Sequence, residues 1–352
     1  MVLLKKFLII HIGKEEMMVF FKDKKILIIG GTGTIGESLV RHILMEEPSL
    51  IRVFSRDEFK QYQMQKELGD NNKLEFILGD VRDYQVLKNT MNGIDYVFHL
   101  AAMKQVTACE FNPYEAVKTN IYGTTNVINT AIEQKVKKVL FTSSDKAISP
   151  TNTYGATKLI GERLITSVEL NKAVTNPIFA SVRFGNVMGS RGSVIPLFQK
   201  QIQNEKNITL TDRNMTRFMM TLEQATSLTI KALKEAKGGE VFVLKMPVIK
   251  LDDLASVLIE ETCKKYGIEE KEIGIEVMGL RPGEKMYEEL MTYDESLSAI
   301  ELKDMYIIVE GARNDVFYAG SKKITPGTYS SKEQDAISKE QLRRLLREAN
   351  LT

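Results

Sequence analysis

The chain has 352 residues, 43% of them hydrophobic, enough to bury a substantial core and to exclude a mainly disordered protein. Its 48 lysines and arginines nearly balance 46 aspartates and glutamates, so the net charge of +2 makes no electrostatic case for nucleic-acid or membrane-surface binding. Two cysteines, Cys109 and Cys263, form neither a disulfide framework nor a paired metal motif, which points to a reducing, cytoplasmic setting and to no metal site.

Residues 1–22 carry two short apolar runs, Val2 to Leu4 and Phe7 to Ile10. Neither is long enough to span a membrane, and no small-residue cleavage site follows them. Met17 and Met18 stand just ahead of the first strand, so this stretch reads either as a dispensable extension or as an upstream start. From Lys25 onward, short β-branched runs alternate with longer amphipathic ones. Strands are expected at Lys25 to Ile29, Ile51 to Phe54, Leu74 to Leu78, Tyr96 to Leu100, Lys138 to Thr142 and Phe179 to Arg183. Helices are expected between them, including Ile35 to Met45 and Tyr114 to Glu133. That rhythm predicts an α/β fold, a doubly wound parallel sheet of the Rossmann type. A further helix, Leu222 to Glu235, and strand, Glu240 to Lys245, read as late additions to it. The expected division is therefore 23–187 plus about 220–247 for the dinucleotide-binding part. A smaller mixed α/β substrate lobe takes about 188–219 and 248–352.

Directly after the first strand stands Gly30-Gly31-Thr32-Gly33-Thr34-Ile35-Gly36. The spacing Gly30, Gly33, Gly36 puts residues without a Cβ where the chain turns, where a pyrophosphate approaches, and where the helix packs on the sheet. The helix amino end then faces the phosphates. At the end of the second strand, Ser55 and Arg56 replace the carboxylate that would accept two ribose hydroxyls, which favours NADP over NAD. Arg56 also reads as a solvated loop charge beside Asp57. Asp80 and Val81 end the third strand, where an adenine ring is expected. Ala101 and Ala102 follow the fourth and permit a close backbone approach.

The spacing tyrosine-x-x-x-lysine occurs five times, at Tyr62/Lys66, Tyr84/Lys88, Tyr114/Lys118, Tyr154/Lys158 and Tyr318/Lys322, so alone it identifies nothing. Only Tyr154/Lys158 follows the fifth strand, whose end carries Ser143-Ser144-Asp145-Lys146 on the ligand-binding edge of such a sheet. Tyr154 would take a proton from a substrate hydroxyl, with Lys158 lowering its pKa. Asp145 beside Lys146 adds an acid next to a base, the pairing an elimination needs. For Lys146 to serve as that base its own pKa must fall, through burial or through Lys158. A loop salt bridge is the plainer alternative.

Ser144-Asp145-Lys146-Ala147 followed by Pro150-x-Asn152-x-Tyr154-Gly155-Ala156-Thr157-Lys158 resembles the configuration-inverting UDP-N-acetylglucosamine 4,6-dehydratases of pseudaminic acid and capsular polysaccharide synthesis, a group of extended short-chain dehydrogenases. The likeness continues through Ala101-Ala102-Met103-Lys104-Gln105-Val106, Lys118-Thr119-Asn120, Arg183-Phe184-Gly185-Asn186-Val187, Ser190-Arg191-Gly192-Ser193-Val194 and Arg281-Pro282-Gly283-Glu284-Lys285. It implies NADP, a UDP-linked amino sugar and a homo-oligomer. It makes Asp145 the acid at the sugar C6, Lys146 the base at C5 and Tyr154 the base at the C4 hydroxyl, with Lys158 and Ser144 supporting. Asn186, Arg217 and Arg281 would grip the diphosphate, with Lys104, Val194 and Glu284 beside them. Ser144 departs from the family's usual threonine and leaves the ketone less firmly positioned. Tyr154 leans toward the inverting branch. A retaining dehydratase, a UDP-sugar 4-epimerase and a non-catalytic NADP-binding protein remain as rivals.

Overall fold

In the computed structural model, which describes residues 19–171, 177–281, 283–309 and 318–352, strand β1 (Lys25–Ile29) sends its side chains alternately into two cores. Ile26 and Ile28 join one apolar cluster, Leu27 and Ile29 the other, as the two-residue repeat of an extended chain requires. A strand buried on both faces needs helices on both, and the chain supplies them. In order come α1 (Thr34–Leu44), β2 (Leu50–Ser55), α2 (Glu58–Leu68), β3 (Leu74–Leu78), α3 (Tyr84–Met91) and β4 (Tyr96–His99). Then follow α4 (Val106–Phe111), α5 (Pro113–Val117), α6 (Gly123–Glu133), β5 (Lys138–Thr142), α7 (Thr153–Asn171) and β6 (Ile178–Arg183).

The later chain carries β7 (Asn186–Val187), α8 (Val194–Asn204), β8 (Asn207–Leu210), β9 (Thr216–Met220), α9 (Leu222–Glu235), β10 (Glu240–Leu244) and β11 (Val248–Lys250). It ends with α10 (Leu251–Tyr266), β12 (Gly274–Val277), β13 (Glu289–Met291), α11 (Tyr293–Ser296), β14 (Ala299–Glu301), β15 (Met305–Val309), β16 (Lys322–Lys323), β17 (Tyr329–Ser330) and α12 (Lys339–Glu348). The main sheet runs β16-β14-β15-β10-β6-β5-β4-β1-β2-β3. From β3 to β10 its strands pair in parallel. The order reverses between β1 and β4, the place where doubly wound sheets open a crevice at their carboxyl ends. Helices α1 and α9 cover one face through Leu39, Ile43 and Leu233. Helices α3, α6 and α7 cover the other through Leu87, Val127 and Ile165.

The expected domain division changes in two places. β14, β15 and β16, assigned to the lobe, extend the main sheet antiparallel beyond β10. Every residue of β10 is buried, and Met305, Ile307 and Ile308 of β15 close its otherwise open edge. Conversely β7, assigned to the main domain, pairs with β9 in the lobe sheet β11-β9-β7. The lobe has its own core, with Phe198, Ile202, Leu254, Leu258 and Leu346 packed between α8, α10 and α12.

The helix expected over Tyr114 to Glu133 is interrupted. Residues Lys118–Tyr122 form a wide π turn between α5 and α6, a device that rotates side chains locally. Here Asn120 is turned inward, its amide holding the Met103 backbone at 2.8 and 3.0 Å and the Thr157 hydroxyl at 2.9 Å. Of the expected extension over residues 1–22, Met17 and Met18 lie outside the described residues with all before them. Phe20 and Phe21 belong to the fold, since Phe20 stacks on Tyr96 at 4.9 Å and Phe21 is fully buried. No helix among the described residues is long and apolar enough to cross a membrane.

Candidate functional site

One cavity of about 1040 Å³ runs along the carboxyl edge of the parallel strands, from the glycine loop to the lobe. It brings together every residue given a catalytic, cofactor or substrate role from the sequence except Asp80. The Asp80 carboxylate instead faces Arg82, with Nε at 2.9 Å and Nη2 at 2.6 Å, and Arg56 approaches it at 3.5 Å. Asp80 is engaged in this ion-pair cluster, and its neighbours Gly79 and Val81 line the cavity wall.

At the loop end, glycine is required sterically. Gly30 has φ of 87°, and a Cβ there would lie 2.8 Å from the Ala101 nitrogen. A Cβ on Gly36 would meet the Gly30 carbonyl oxygen at 2.6 Å, because α1 packs directly on the loop. Gly33 caps α1 with no side-chain bond, which leaves first-turn N–H groups for an anion. Ser55 is buried and accepts from Gln61 at 3.1 Å, whereas Arg56 is exposed at the rim. Arg191, unassigned from the sequence, donates to the Thr32 carbonyl at 2.7 Å and reaches across the loop from the lobe. The buried hydroxyls of Thr119, Ser143 and Ser193 line the same cavity without a partner in the protein. Such unmet groups, with the side-chain-free cradle, fit a phosphate-bearing dinucleotide followed by a polar substrate.

At the other end, the turn after β5 folds on itself. Ser144 donates to Asp145 Oδ1 at 2.7 Å and accepts from the Lys146 backbone at 3.2 Å. Lys146 Nζ lies 2.6 Å from Asp145 Oδ2 and 3.2 Å from Glu288 Oε1. Glu288 was not marked by the sequence. It is buried, and it also accepts from Asn186 Nδ2 at 3.1 and 2.9 Å and from the Phe218 nitrogen at 3.2 Å, with Arg217 Nε 3.3 Å away. Its only sequence signal is Glu288-Glu289 standing just before the apolar Leu290-Met291.

Burial pushes the Asp145 carboxyl up, but the Lys146 ammonium outweighs it and holds the group below the usual aspartate range. Burial and the adjacent Asp145 push Glu288 up. For Lys146, burial acts downward and the two carboxylates outweigh it, so its pKa is raised. That corrects the expectation of a lowered pKa: Lys146 is an ammonium held between two acids.

Of the five tyrosine-lysine pairs, only Tyr154/Lys158 lines the cavity. Both side chains are buried, Tyr154 at 8% and Lys158 at 3% exposure. Burial pushes the Tyr154 phenol up to about 12, against hydrogen bonding by Ser144 and the charge of Lys146. Burial pushes Lys158 down to about 7, against Glu162. The Lys158 ammonium binds the Thr142 carbonyl at 2.7 Å and lies over the Phe141 ring. Expected to act on the phenol, Lys158 is thus held on the sheet edge, and Ser144 is the foremost group that eases phenol ionisation. Beyond it, Asn186 is committed to Glu288 and the Phe218 carbonyl. Val194 opens α8 and Arg217 lies half-buried. Arg281 is exposed, its nitrogen bonded to Glu284 at 3.1 Å. Burial, Arg191 and Lys146 together push Lys104 below the ordinary lysine range. Among the described residues no group of three or more His, Cys, Asp or Glu is arranged to hold a metal ion.

The family described as "Polysaccharide biosynthesis protein" matches residues 26–310. The chain belongs to this polysaccharide biosynthesis family. The match spans both ends of the cavity, from the strand before the glycine loop to β15. Among solved structures, this family member is similar to Pen from Bacillus thuringiensis, at 59% identity and a TM-score of 0.89, covering 95% of this chain and 99% of that one. It is 43% identical over 338 residues to an uncharacterized membrane protein of Methanocaldococcus jannaschii, covering 95% of this chain and 98% of that one. It is 39% identical over 335 residues to a UDP-glucose 4-epimerase of Rickettsia rickettsii, covering 93% and 96%.

Proposed function

We propose that the protein is an NADP-dependent dehydratase that converts UDP-N-acetylglucosamine to a UDP-4-keto-6-deoxy amino sugar with inversion at C5. The observation that carries this reading is the convergence of Asp145, Lys146 and Tyr154 within the cavity that begins at the glycine loop. The loop of Gly30 to Gly36, with Ser55, Arg56, Val81, Ala101 and Ala102, would hold the dinucleotide, Arg56 meeting a 2′-phosphate. When bound, that cofactor would supply the redox chemistry, taking hydride from the sugar C4 and returning it to C6.

The protein's own groups handle the protons. Ser144 connects the Tyr154 phenol to Asp145. Tyr154, its ionisation eased by Ser144, acts as the base for the C4 hydroxyl, and Asp145 acts as the acid for the C6 hydroxyl, passing on a proton from the Lys146 ammonium at 2.6 Å and so leaving Lys146 as the amine. Lys146 takes the C5 hydrogen, acidic once C4 is a ketone, and the C6 hydroxyl leaves as water. Arg217 and Arg281, on separate segments of the lobe side, clamp the diphosphate. The buried free cysteines suit a reducing cytoplasm.

A 4-epimerase, the activity named for the Rickettsia relative, needs Tyr154 and the cofactor but no Asp145/Lys146 pair. Incubation with UDP-N-acetylglucosamine followed by mass spectrometry decides between them. Loss of one water is expected, and an isobaric product alone overturns the dehydratase reading. Deuterium incorporation with product stereochemistry at C5 separates inversion from retention.

A further inference from the structure

Arg191 is a cation of the cavity that the proposed proton transfers leave unused. It lies on the loop between β7 and α8 and crosses to the dinucleotide end, where Nη2 donates to the Thr32 carbonyl at 2.7 Å. Its backbone nitrogen stands 3.5 Å from the hydroxyl of Thr34, the first residue of α1. The loop is supported on both sides of this crossing. Lys104 Nζ reaches the Arg191 carbonyl at 3.4 Å, and a Cβ on Gly192 would lie 2.8 Å from Gln105 Nε2, so the loop packs directly on the segment after β4. A Cβ on Gly189 would lie 2.7 Å from the Leu351 side chain, so the last residues of the chain back the loop from the lobe.

We propose that Arg191 is a ligand, supplied by the lobe, for the pyrophosphate of the bound dinucleotide, fastening it between the glycine loop and the lobe. This rests on the reading that the glycine loop holds a dinucleotide. The proposed reaction takes hydride from a sugar and returns it to the same sugar, so nothing requires the dinucleotide to leave between turnovers, and a second point of attachment keeps it in place.

Independent features of the site call for an anion at this place. Gly33 leaves the first-turn N–H groups of α1 without a side-chain cap, directly beside the Thr32 carbonyl that Arg191 holds. A guanidinium carries five N–H donors, so that carbonyl leaves donors over, in a planar fork that matches phosphate oxygens. Arg191 and Lys104 are close enough for the arginine to push the lysine below its ordinary range, yet neither has an ion-pair partner among the described residues. Two like charges held together in this way are relieved by a bound anion. Asp57 feels the Arg191 charge less than that of Lys60, with which it is paired. The pyrophosphate is favoured over the 2′-phosphate because Arg191 is bonded to the loop that opens α1, whereas Ser55 and Arg56 stand at the tip of β2.

The test uses full-length protein freed of nucleotide. Calorimetry gives its affinities for NADP, NAD, ADP and adenosine 2′-monophosphate, and release of bound NADPH into excess NADP is timed by fluorescence. Arg191→Gln is expected to weaken NADP, NAD and ADP by about tenfold each and to speed NADPH release by a similar factor, while adenosine 2′-monophosphate binds as before. Should that variant fail to fold, Arg191→Lys, which keeps the charge and loses the fork, is expected to weaken the same three ligands by about threefold. Unchanged affinities and release, a loss confined to NADP and adenosine 2′-monophosphate, or an equal loss for all four ligands overturns the proposal while the glycine-loop reading stands. Failure of the native protein to bind either dinucleotide overturns both.

Discussion

At the glycine-loop end of the cavity the contacts are made by main chain, and the side chains that matter are the missing ones on Gly30, Gly33 and Gly36. At the reacting end the contacts are made by charged side chains, and Asp145, Lys146, Arg217 and Glu288 satisfy one another across three segments of the chain. Shape controls the first region and charge the second. A change at the loop end acts by steric overlap and is nearly independent of pH. A change at the reacting end acts by altering which group holds a proton, while the cofactor seat stays intact.

The strongest way to sharpen that contrast is Lys146→Ala. Dehydration should fall by roughly a thousandfold, within the usual range for a general base. Binding of the nicotinamide cofactor, followed by fluorescence, should be unchanged. Loss of both together would mean that the two ends are not separable. The complementary break is Gly36→Ala. The new Cβ meets backbone on Gly30 and Gly31 at 2.6 Å, so the loop itself must shift. Overpacking of this kind costs about 1–3 kcal/mol, or roughly fivefold to a hundred-and-fiftyfold in cofactor affinity. The deficit should be the same at pH 6 and pH 9, and a pH-dependent deficit would contradict a purely steric origin.

The two ends also differ in how far the sequence exposes them. The loop is local: one strand, seven residues and one helix, with glycine spacing that has a single steric meaning. Asp145 and Lys146 are equally local, on one turn after β5. Glu288 is 142 residues from Lys146, and nothing in its neighbourhood marks it as the partner that keeps Lys146 charged. For that reason the expected pKa direction of Lys146 was reversed. The π turn at Lys118–Tyr122 was hidden for a related reason, since helical periodicity does not register a turn whose reward is the distant bonds of Asn120 to Met103 and Thr157. The strands β14 to β16 are two to five residues long, and only the buried edge of β10 explains them.

Lys158 sits where the two ends meet and gives a stability test. Burial pushes its pKa from the ordinary 10.5 to about 7. Between those values the unfolded chain binds a proton that the folded one does not, so stability from this residue rises with pH. Below pH 7 both states are protonated and the folded state bears the whole cost of a buried ammonium. Above the ordinary lysine value that cost is gone. Lys158→Met lacks it at every pH, while losing the Thr142 bond costs the same throughout. The melting temperature of the native protein relative to the variant should therefore climb by roughly 5 °C from pH 6.5 to pH 10. A flat difference would show that Lys158 keeps its proton when buried.

The smallest effect is expected at Arg56, where the shape-controlled end acquires its one charge-based choice. The side chain is exposed and lies 3.5 Å from Asp80, which Arg82 already neutralises at 2.6 Å. Arg56 is therefore only loosely held and is free to meet a phosphate at the rim. Its solvent exposure limits the gain, because surface charge pairs are screened and contribute about 1 kcal/mol or less. Arg56→Ala should weaken NADP binding by roughly fivefold and leave NAD binding unchanged, and raising the salt concentration should reproduce that loss in the native protein. Equal weakening for both cofactors would place Arg56 against the pyrophosphate or adenine and remove the ground for preferring NADP.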